Sequence, residues 1–257
     1  MSENVKIIDA DSDNIENFSI CGYKHKQQAG YRRKVAWLRD RFREGLRYKI
    51  LFSEEDADVG FIEYIPAEYA WRGVKAKRFM FIHCIALFKK SYKNKGYGSM
   101  LIEECLRDAE KEGMDGVAVV TSKDTWMAGK KLFLKNGFEV ADTAQKKFEL
   151  MVKKFREVDS PEFTHSWDDT ENRHKSGLTI IWSDQCPYCI KAVSEITETA
   201  KKEFKLSPNI VELKTYEDAQ SSPTPYAIFS ILLNGKIVAD HPISNTRFIN
   251  IMNKEMI

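Results

Sequence analysis

The chain has 257 residues, enough for one large domain or two domains of ordinary size. Hydrophobic residues make up 43% of the chain and charged residues 30%, a composition typical of a soluble globular protein. The formal net charge of +2 argues against a general nucleic-acid-binding protein, whose contact surface would be strongly basic.

The first third of the chain predicts four strands and one amphipathic helix. The strands are expected over 5–10, 47–53, 58–65 and 78–88, and the helix over 31–46. Apolar residues recur at helical spacing along one face of that helix: Tyr31, Val35, Leu38, Phe42 and Leu46. Several arginines lie among the other positions, and we interpret them as a solvated face because Asp40 and Glu44 are interspersed.

Residues 93–98, Lys-Asn-Lys-Gly-Tyr-Gly, follow the strand at 78–88 and lead into a helix predicted over 96–112. Glycines let the backbone approach a phosphate closely, and the N–H groups of a helix N-terminus point at it. Lys93 and Lys95 add positive charge. The spacing is neither that of a Walker loop nor that of a dinucleotide-binding loop. The segment predicts an anion-binding loop, and the alternative is a glycine-containing turn with solvated lysines.

The predicted order continues with a strand at 117–121, a helix at 126–136 and strands at 138–141 and 146–152. Two motifs accompany it: the loop at 93–98 and the sequence Phe-Leu-Lys-Asn-Gly-Phe at 133–138. Together they resemble the GNAT acetyltransferases over residues 1–154. The resemblance implies the GNAT acyltransferase fold, an α/β (α+β) architecture in which helices pack on a mixed sheet.

The same resemblance implies that acetyl-CoA is the co-substrate. The backbone of Ile85, Ala86 and Leu87 would then pair with the pantetheine arm. The pyrophosphate would be held by the glycine loop and the first helical turn: Lys93, Asn94, Lys95, Gly96, Tyr97, Gly98 and Ser99. Lysine at position 93 departs from the Gln or Arg of the family motif but keeps the positive charge of Arg.

Transfer of an acetyl group to an amine requires removal of an ammonium proton. Four residues are candidates for this base: Glu63, Glu68, His83 and Cys84. Glu63 is our first choice, because a carboxylate in an apolar strand is costly unless it is paired or functional. His83 is our second choice, and its alternative role is that of a hydrogen-bonded structural residue.

The general acid of the family is missing from this chain. Phe133 stands where the family often has a tyrosine that protonates the departing thiolate, and Trp126 stands where an asparagine is common. Thiolate release would then use water, another residue or no acid at all. The alternative is that catalysis has been lost.

Residues 155–176 are polar and aperiodic and predict a linker, with Phe163 and Trp167 holding it to one domain. A second domain is expected over 177–257. Its elements are a strand at 178–182, the sequence Cys-Pro-Tyr-Cys at 186–189, a helix to about 204, a strand at 209–213, a hairpin with an Asn234-Gly235 turn and a terminal helix. This order resembles the thioredoxin/glutaredoxin fold, and the fusion resembles the YoaP-like domain that follows some GNAT domains.

Two cysteines separated by two residues after a strand favour a redox site. The helix N-terminus would stabilise a Cys186 thiolate, and Cys189 would resolve a mixed disulfide. We expect Pro187 at the first helical position, and the resemblance implies a cis peptide bond at Thr224-Pro225 facing the dithiol. The alternative is half of a zinc site; we favour redox chemistry and expect no metal.

The leading hypothesis is an acetyl-CoA-dependent N-acetyltransferase that acts on a small-molecule amine and carries an accessory dithiol domain. The rival is a thiol–disulfide oxidoreductase or thiol-regulated binding protein with a degenerate CoA-binding module. We expect no nucleic-acid partner and no membrane span; a homodimer is left open. An odd number of cysteines and the lack of a signal-peptide pattern predict a cytoplasmic protein.

Overall fold

The computed structural model describes residues 4–23, 25–123, 126–145 and 147–256, without the side chains of Glu171 and Asn172. The chain divides into two units. The first contains Met1–Ala70 and Val74–Phe163, and the second contains Trp71–Gly73 and Thr164–Ile257. The segment predicted as a linker, 155–176, therefore contributes residues to both units, and its Phe163 and Trp167 side chains are buried.

The first unit is built on a seven-stranded mixed sheet in the order β1-β2-β3-β5-β6-β8-β7. A separate pair of short strands, β4 and β9, is antiparallel. The strands are β1 (Val5–Ala10), β2 (Arg47–Ser53), β3 (Ala57–Pro66), β4 (Val74–Lys75), β5 (Phe79–Leu87), β6 (Gly116–Ser122), β7 (Glu139–Ala144), β8 (Phe148–Lys154) and β9 (Glu162–Phe163). Residue 146, the first of a predicted strand, lies outside the described residues.

Three helices accompany this sheet: α1 (Ala29–Phe42), α2 (Tyr97–Lys111) and α3 (Lys130–Lys135). The buried face of α2, which includes Leu101, Ile102 and Cys105, packs in one cluster with apolar residues of β3, β5 and β6. Cys105 is thus a core residue, as its helical spacing predicts. The predicted helix 126–136 is shorter in the structure, because Gly129 has extended backbone angles and caps α3 one residue before Lys130.

The central strand β5 changes partners along its length. It pairs with β3 as far as Leu87, but its parallel pairing with β6 ends at Ile82 and Val119. At the same point, Glu63 opposes Cys84 and Tyr64 opposes Ile82, so His83 is the extra residue of a β-bulge. Bulges locally disrupt a ladder and bend a strand. This bulge coincides with the opening of the sheet between β5 and β6.

The second unit has a four-stranded sheet in the order β11-β10-β12-β13. Strands β10 and β11 are parallel, and the other neighbours are antiparallel. In chain order the elements are α4 (Thr170–Arg173), β10 (Leu178–Trp182), α5 (Cys189–Glu203), β11 (Asn209–Glu212), α6 (Tyr216–Gln220), β12 (Phe229–Leu233), β13 (Lys236–Ala239) and α7 (Asn245–Glu255). The predicted hairpin turn is confirmed, since Asn234 and Gly235 both have positive φ between β12 and β13.

Two local predictions in the second unit are wrong. The helix after the cysteine pair begins at Cys189, so Pro187 lies in the preceding turn rather than at the first helical position. The Thr224-Pro225 peptide bond is trans rather than cis. Within the described part of the chain, no helix combines the length and apolar character that a bilayer crossing requires.

Candidate active site

A cavity of about 720 Å³ lies in the first unit where β5 separates from β6. Its walls come from the end of β5, the glycine loop, the first turn of α2 and the segment around α3. Eight of the residues predicted to bind the cofactor line it: Ile85, Ala86, Leu87, Lys93, Asn94, Gly96, Gly98 and Ser99. The structure therefore brings the predicted strand edge and the predicted phosphate loop to one cavity.

The N-terminus of α2 supplies backbone donors to this cavity. Gly96 caps the helix with φ of 90°, a left-handed conformation that glycine adopts without steric cost. The first intrahelical bond runs from the Met100 N–H to the Gly96 carbonyl, at 3.0 Å. The N–H groups of the three residues between them, 97–99, occupy positions that have no intrahelical acceptor. These groups and the helix dipole favour a bound anion.

Positive side chains surround the same opening. Lys93 of the loop and Lys131 and Lys135 of α3 all line the cavity, and none of its described lining residues is acidic. Two predicted cofactor residues are placed differently: Lys95 and Tyr97 are not among the lining residues, and both approach the Tyr92 ring instead. Lys95 Nζ lies 6.0 Å from that ring centroid.

The sequence interpretation missed the contribution of α3 to this cavity. Lys131 and Lys135 are four residues apart, so they lie on the same side of a helix, and that spacing was the available signal. Trp126 lines the cavity and is 54% exposed, whereas Phe133 is fully buried and packs edge-on against Phe138. The position of the family's usual acid is therefore a core position in this chain.

Glu63 and His83, the two predicted catalytic residues, contact each other. His83 Nδ1 lies 3.1 Å from Glu63 Oε1, and the other carboxylate oxygen accepts a hydrogen bond of 2.6 Å from Lys34 Nζ. All three side chains are buried, and Lys34 Nζ also lies 3.9 Å from the Trp37 ring centroid. Of the other candidates, Cys84 lines the cavity and Glu68 accepts a hydrogen bond from the Arg78 backbone.

The charge state of Glu63 follows from this arrangement. Burial alone would raise the pKa of the carboxyl group, but the Lys34 ammonium and the hydrogen bonds from His83 and Lys34 outweigh it and lower the pKa to about 2. Glu63 is therefore an ionised, paired carboxylate at neutral pH. Sequence reasoning identified Glu63 as a costly buried carboxylate but did not find its partner, because Lys34 lies 29 residues away on α1.

We expect Lys34→Met to destabilise the protein strongly at pH 7, by about 3–5 kcal/mol, because it leaves a buried carboxylate without its cation. The depressed pKa of Glu63 stabilises the fold above about pH 4.5 and this contribution is lost as the pH falls through about 2. The difference between wild type and variant should therefore narrow as the pH is lowered from 7 to 3. Urea unfolding at both pH values measures it.

The control for this experiment is Lys111→Met, which removes an exposed lysine at the end of α2. It should change the free energy of unfolding by no more than about 0.5 kcal/mol. Equal stability of Lys34→Met and Lys111→Met at pH 7 would contradict a buried ion pair.

The predicted redox residues lie at the start of α5. Cys186 is partly exposed in the turn before the helix, and Cys189 is fully buried at its first residue. Burial, followed by the interaction with Cys186, raises the pKa of the Cys189 thiol well above its usual value. Cys189 Sγ lies 3.9 Å from the carbonyl of Ile228, three residues after the buried Pro225. Among the described residues, no group of three or more His, Cys, Asp or Glu side chains is arranged to hold a metal ion.

Comparisons with known proteins match both units. The model of the acetyltransferase (GNAT) family matches residues 13–138, and the model described as YoaP-like matches residues 209–250. The protein named uncharacterized N-acetyltransferase YoaP, from Bacillus subtilis (strain 168), is 33% identical over 251 residues, which cover 96% of this chain and 98% of that protein.

Solved structures also match. One is the PaiA N-acetyltransferase of Thermoplasma acidophilum in complex with coenzyme A, with 17% identity and a TM-score of 0.41, covering 59% of this chain and 99% of that one. Another is yncA of Salmonella typhimurium with acetyl-CoA, with 17% identity and a TM-score of 0.45, covering 61% of this chain and 96% of that one. On the family model and the full-length relative, this chain belongs to the GNAT family of N-acetyltransferases.

Proposed function

We propose that this protein transfers the acetyl group of acetyl-CoA to the amine of a small molecule. The observation that carries the proposal is the cavity between the open edge of β5 and the N-terminus of α2. A strand edge offers a row of backbone donors and acceptors, and a helix N-terminus offers an anion site. Acetyl-CoA has an amide-containing arm joined to a pyrophosphate, so its chemistry fits both walls.

The residues present match the parts of this co-substrate. The backbone of Ile85, Ala86 and Leu87 would bind the pantetheine amides, and the first turn of α2 would bind the pyrophosphate. Lys93, Lys131 and Lys135 give the cavity a positive potential that favours a polyanion. The absence of acidic groups among the described lining residues supports the same assignment.

The proposed reaction is direct attack of an unprotonated amine on the thioester carbonyl. As the carbonyl oxygen gains negative charge, a backbone N–H of β5 beyond Ile82, where pairing with β6 has ended, would stabilise it. We assign proton removal to the Glu63–His83 pair. Since Glu63 stays ionised and is paired with Lys34, His83 is the better proton acceptor near neutral pH, and Glu63 orients its ring.

The bulge supports this role for His83. His83 is the extra residue of β5, and the next residue, Cys84, lines the cavity. The His83 backbone therefore adjoins the cavity, while the His83 and Glu63 side chains are buried and neither residue is among its described lining. Position 133, where the family often has an acidic tyrosine, is a buried phenylalanine in this chain. The CoA thiolate, which is a good leaving group, would therefore depart without that acid.

The test is isothermal calorimetry with acetyl-CoA, followed by assay of CoA release with a panel of small amines, polyamines, amino acids and peptides. We expect acetyl-CoA to bind and at least one small amine to stimulate CoA release. If only peptide N-termini or lysine side chains stimulate CoA release, the acceptor is a peptide or protein rather than a small-molecule amine. Failure of acetyl-CoA to bind would overturn the proposal and favour the rival dithiol-protein hypothesis.

For the second unit we propose a thioredoxin-like fold with a redox-active dithiol. The support is the strand order β11-β10-β12-β13 with a parallel β10–β11 pair, and a Cys-x-x-Cys sequence that ends at the first residue of α5. A partly exposed Cys186 and a buried Cys189 suit the roles of an attacking thiol and a resolving thiol. We keep a cytoplasmic location as part of the proposal.

We expect Cys186 and Cys189 to form a disulfide that dithiothreitol reduces, and Cys186 to react with iodoacetamide several-fold faster than a free thiol at pH 6. The reason is that Cys186 is partly exposed near a helix N-terminus, whereas Cys189 is buried and has a raised pKa. Mass spectrometry of the alkylated peptides separates these two from the other three cysteines. Stoichiometric zinc in the purified protein, or ordinary thiol reactivity of Cys186, would contradict the redox assignment.

A further inference from the structure

An arginine from a distant part of the chain lies in the second unit. Segment Trp71–Gly73 is separated in sequence from the rest of that unit, and Arg72 is only 3% exposed. Its Nη1 donates hydrogen bonds of 2.6 Å to Gln185 Oε1 and 2.6 Å to the Trp71 carbonyl. Its guanidinium carbon lies 5.4 Å from the centroid of the Tyr226 ring. A buried guanidinium is thus held in place by polar and aromatic contacts.

Each side-chain partner of Arg72 is the chain neighbour of a residue predicted for the dithiol site. Gln185 directly precedes Cys186, and Tyr226 directly follows Pro225. Two further contacts join these segments: the Ser183 N–H bonds to the Ile228 carbonyl at 3.0 Å, and Cys189 Sγ lies 3.9 Å from the same oxygen. The residue that accepts a hydrogen bond from Arg72 is therefore joined directly to Cys186 along the chain.

We propose that Arg72 is a positioning residue of the dithiol site, whose fixed positive charge keeps Cys186 in the thiolate form that attacks a disulfide substrate. The proposal rests on the redox function proposed for the second unit. It adds a residue that lies outside the Cys-Pro-Tyr-Cys motif, because Arg72 is 113 residues before its partner Gln185.

Burial makes this charge effective. A charge in a region that excludes water acts on its neighbours more strongly than an exposed one, since less solvent screens it. Among the described residues, the ionisable groups in or beside the motif and its facing segment include Asp184, Tyr188, Cys189 and Tyr226. Asp184 and Cys186 both raise the pKa of Cys189, after the larger effect of burial, so Asp184 disfavours a second negative charge here. The fixed charge of Arg72, held by the neighbouring Gln185, would oppose the effect of Asp184.

The reaction to which this arrangement is suited is thiol–disulfide exchange. The Cys186 thiolate attacks one sulfur of a substrate disulfide, forms a mixed disulfide and releases the other substrate sulfur as a thiolate. Cys189 then attacks Cys186 Sγ, and its proton passes to the second departing sulfur. The products are one substrate thiol, one substrate thiolate that takes a proton from water, and a Cys186–Cys189 disulfide, so the substrate disulfide is the oxidant and the dithiol is the reductant.

The experiment measures alkylation of Cys186 by iodoacetamide between pH 4 and 10 in the full-length protein, with peptide mass spectrometry as the readout. In Arg72→Gln the pH midpoint should rise by about one unit, which lowers the alkylation rate roughly tenfold at a pH below both midpoints. Arg72→Lys keeps the charge but loses the planar guanidinium, so its pH midpoint should rise less than that of Arg72→Gln. The reduction potential of the dithiol should fall in Arg72→Gln, because the reduced thiolate loses its stabilisation.

Arg247→Gln is the matched control, since Arg247 is an exposed arginine on α7 and its loss changes the net charge equally. It should leave the midpoint unchanged. Gln185→Met keeps Arg72 but removes its acceptor, and should shift the midpoint in the same direction by a smaller amount. Circular dichroism and thermal melting identify the variants that are folded. If Arg72→Gln is not folded, the alkylation midpoint of Arg72→Lys is compared with that of the wild type instead.

The outcomes separate this inference from the redox assignment on which it rests. A low midpoint in the wild type that stays unchanged in folded Arg72→Gln and Gln185→Met overturns the role of Arg72 alone. An ordinary free-thiol midpoint in the wild type overturns both.

Discussion

Gly98→Val is expected to abolish acetyl-CoA binding, with at least a hundredfold loss of affinity by calorimetry. Gly98 lies in the first turn of α2 and lines the cavity. A Cβ at this position would lie 3.2 Å from Leu132 Cδ1, and the two further methyl groups of valine would have to turn toward Leu132 or into the cavity. Either outcome narrows the space in which the pyrophosphate would contact the backbone of α2.

Two other glycines supply a matched comparison. Gly96 and Gly113 both have positive φ, at 90° and 68°, and no atom lies within 4 Å of a Cβ built on either. Valine is therefore strained to a similar extent at both, but Gly96 precedes α2 at the cavity and Gly113 follows its other end. Gly96→Val should lose acetyl-CoA affinity and Gly113→Val should keep it. Unchanged affinity in both Gly96→Val and Gly98→Val would contradict a phosphate site at this loop.

The features predicted best from the sequence are those encoded by neighbouring residues. The glycine loop at 93–98 and the Asn234-Gly235 turn each combine turn residues with a flanking strand or helix pattern. The two cysteines at the start of α5, one in the preceding turn and one at the first helical residue, are another local signal. In each case the residues that determine the backbone are within a few positions of one another, so no long-range information is needed.

The features that were missed depend on contacts between distant parts of the chain. Lys34 and Glu63 are 29 residues apart, and Arg72 and Gln185 are 113 residues apart. Nothing in the local pattern of Lys34 distinguishes a buried lysine from the solvated residues of an amphipathic helix. The bulge at His83 depends on the register between β3 and β5, which the alternation of side chains within one strand does not specify.

His83→Gln is expected to lower kcat by about 10²–10⁴-fold and to leave acetyl-CoA affinity nearly unchanged. It should also remove the acidic limb of the pH–rate profile. Because the pKa of Glu63 is about 2, any limb observed above pH 4 belongs to another group. Glu63→Gln should therefore keep a limb but move it to lower pH, since the carboxylate no longer stabilises the protonated imidazole, and should lower kcat about tenfold. Steady-state kinetics between pH 5 and 9 measure both effects.

Two further variants separate this role from a structural one. Glu110→Gln, an exposed substitution on α2, should leave kcat and the profile unchanged. The double variant Lys34→Met/Glu63→Gln removes both buried charges, so it relieves the unpaired lysine of Glu63→Gln. If Glu63 only neutralised Lys34, the double variant would recover wild-type kcat and limb position. We expect it to recover stability while kcat and the limb remain those of Glu63→Gln, because His83 still lacks its carboxylate. A full acidic limb with normal kcat in His83→Gln would show that the amine reaches the thioester already deprotonated, without help from this pair.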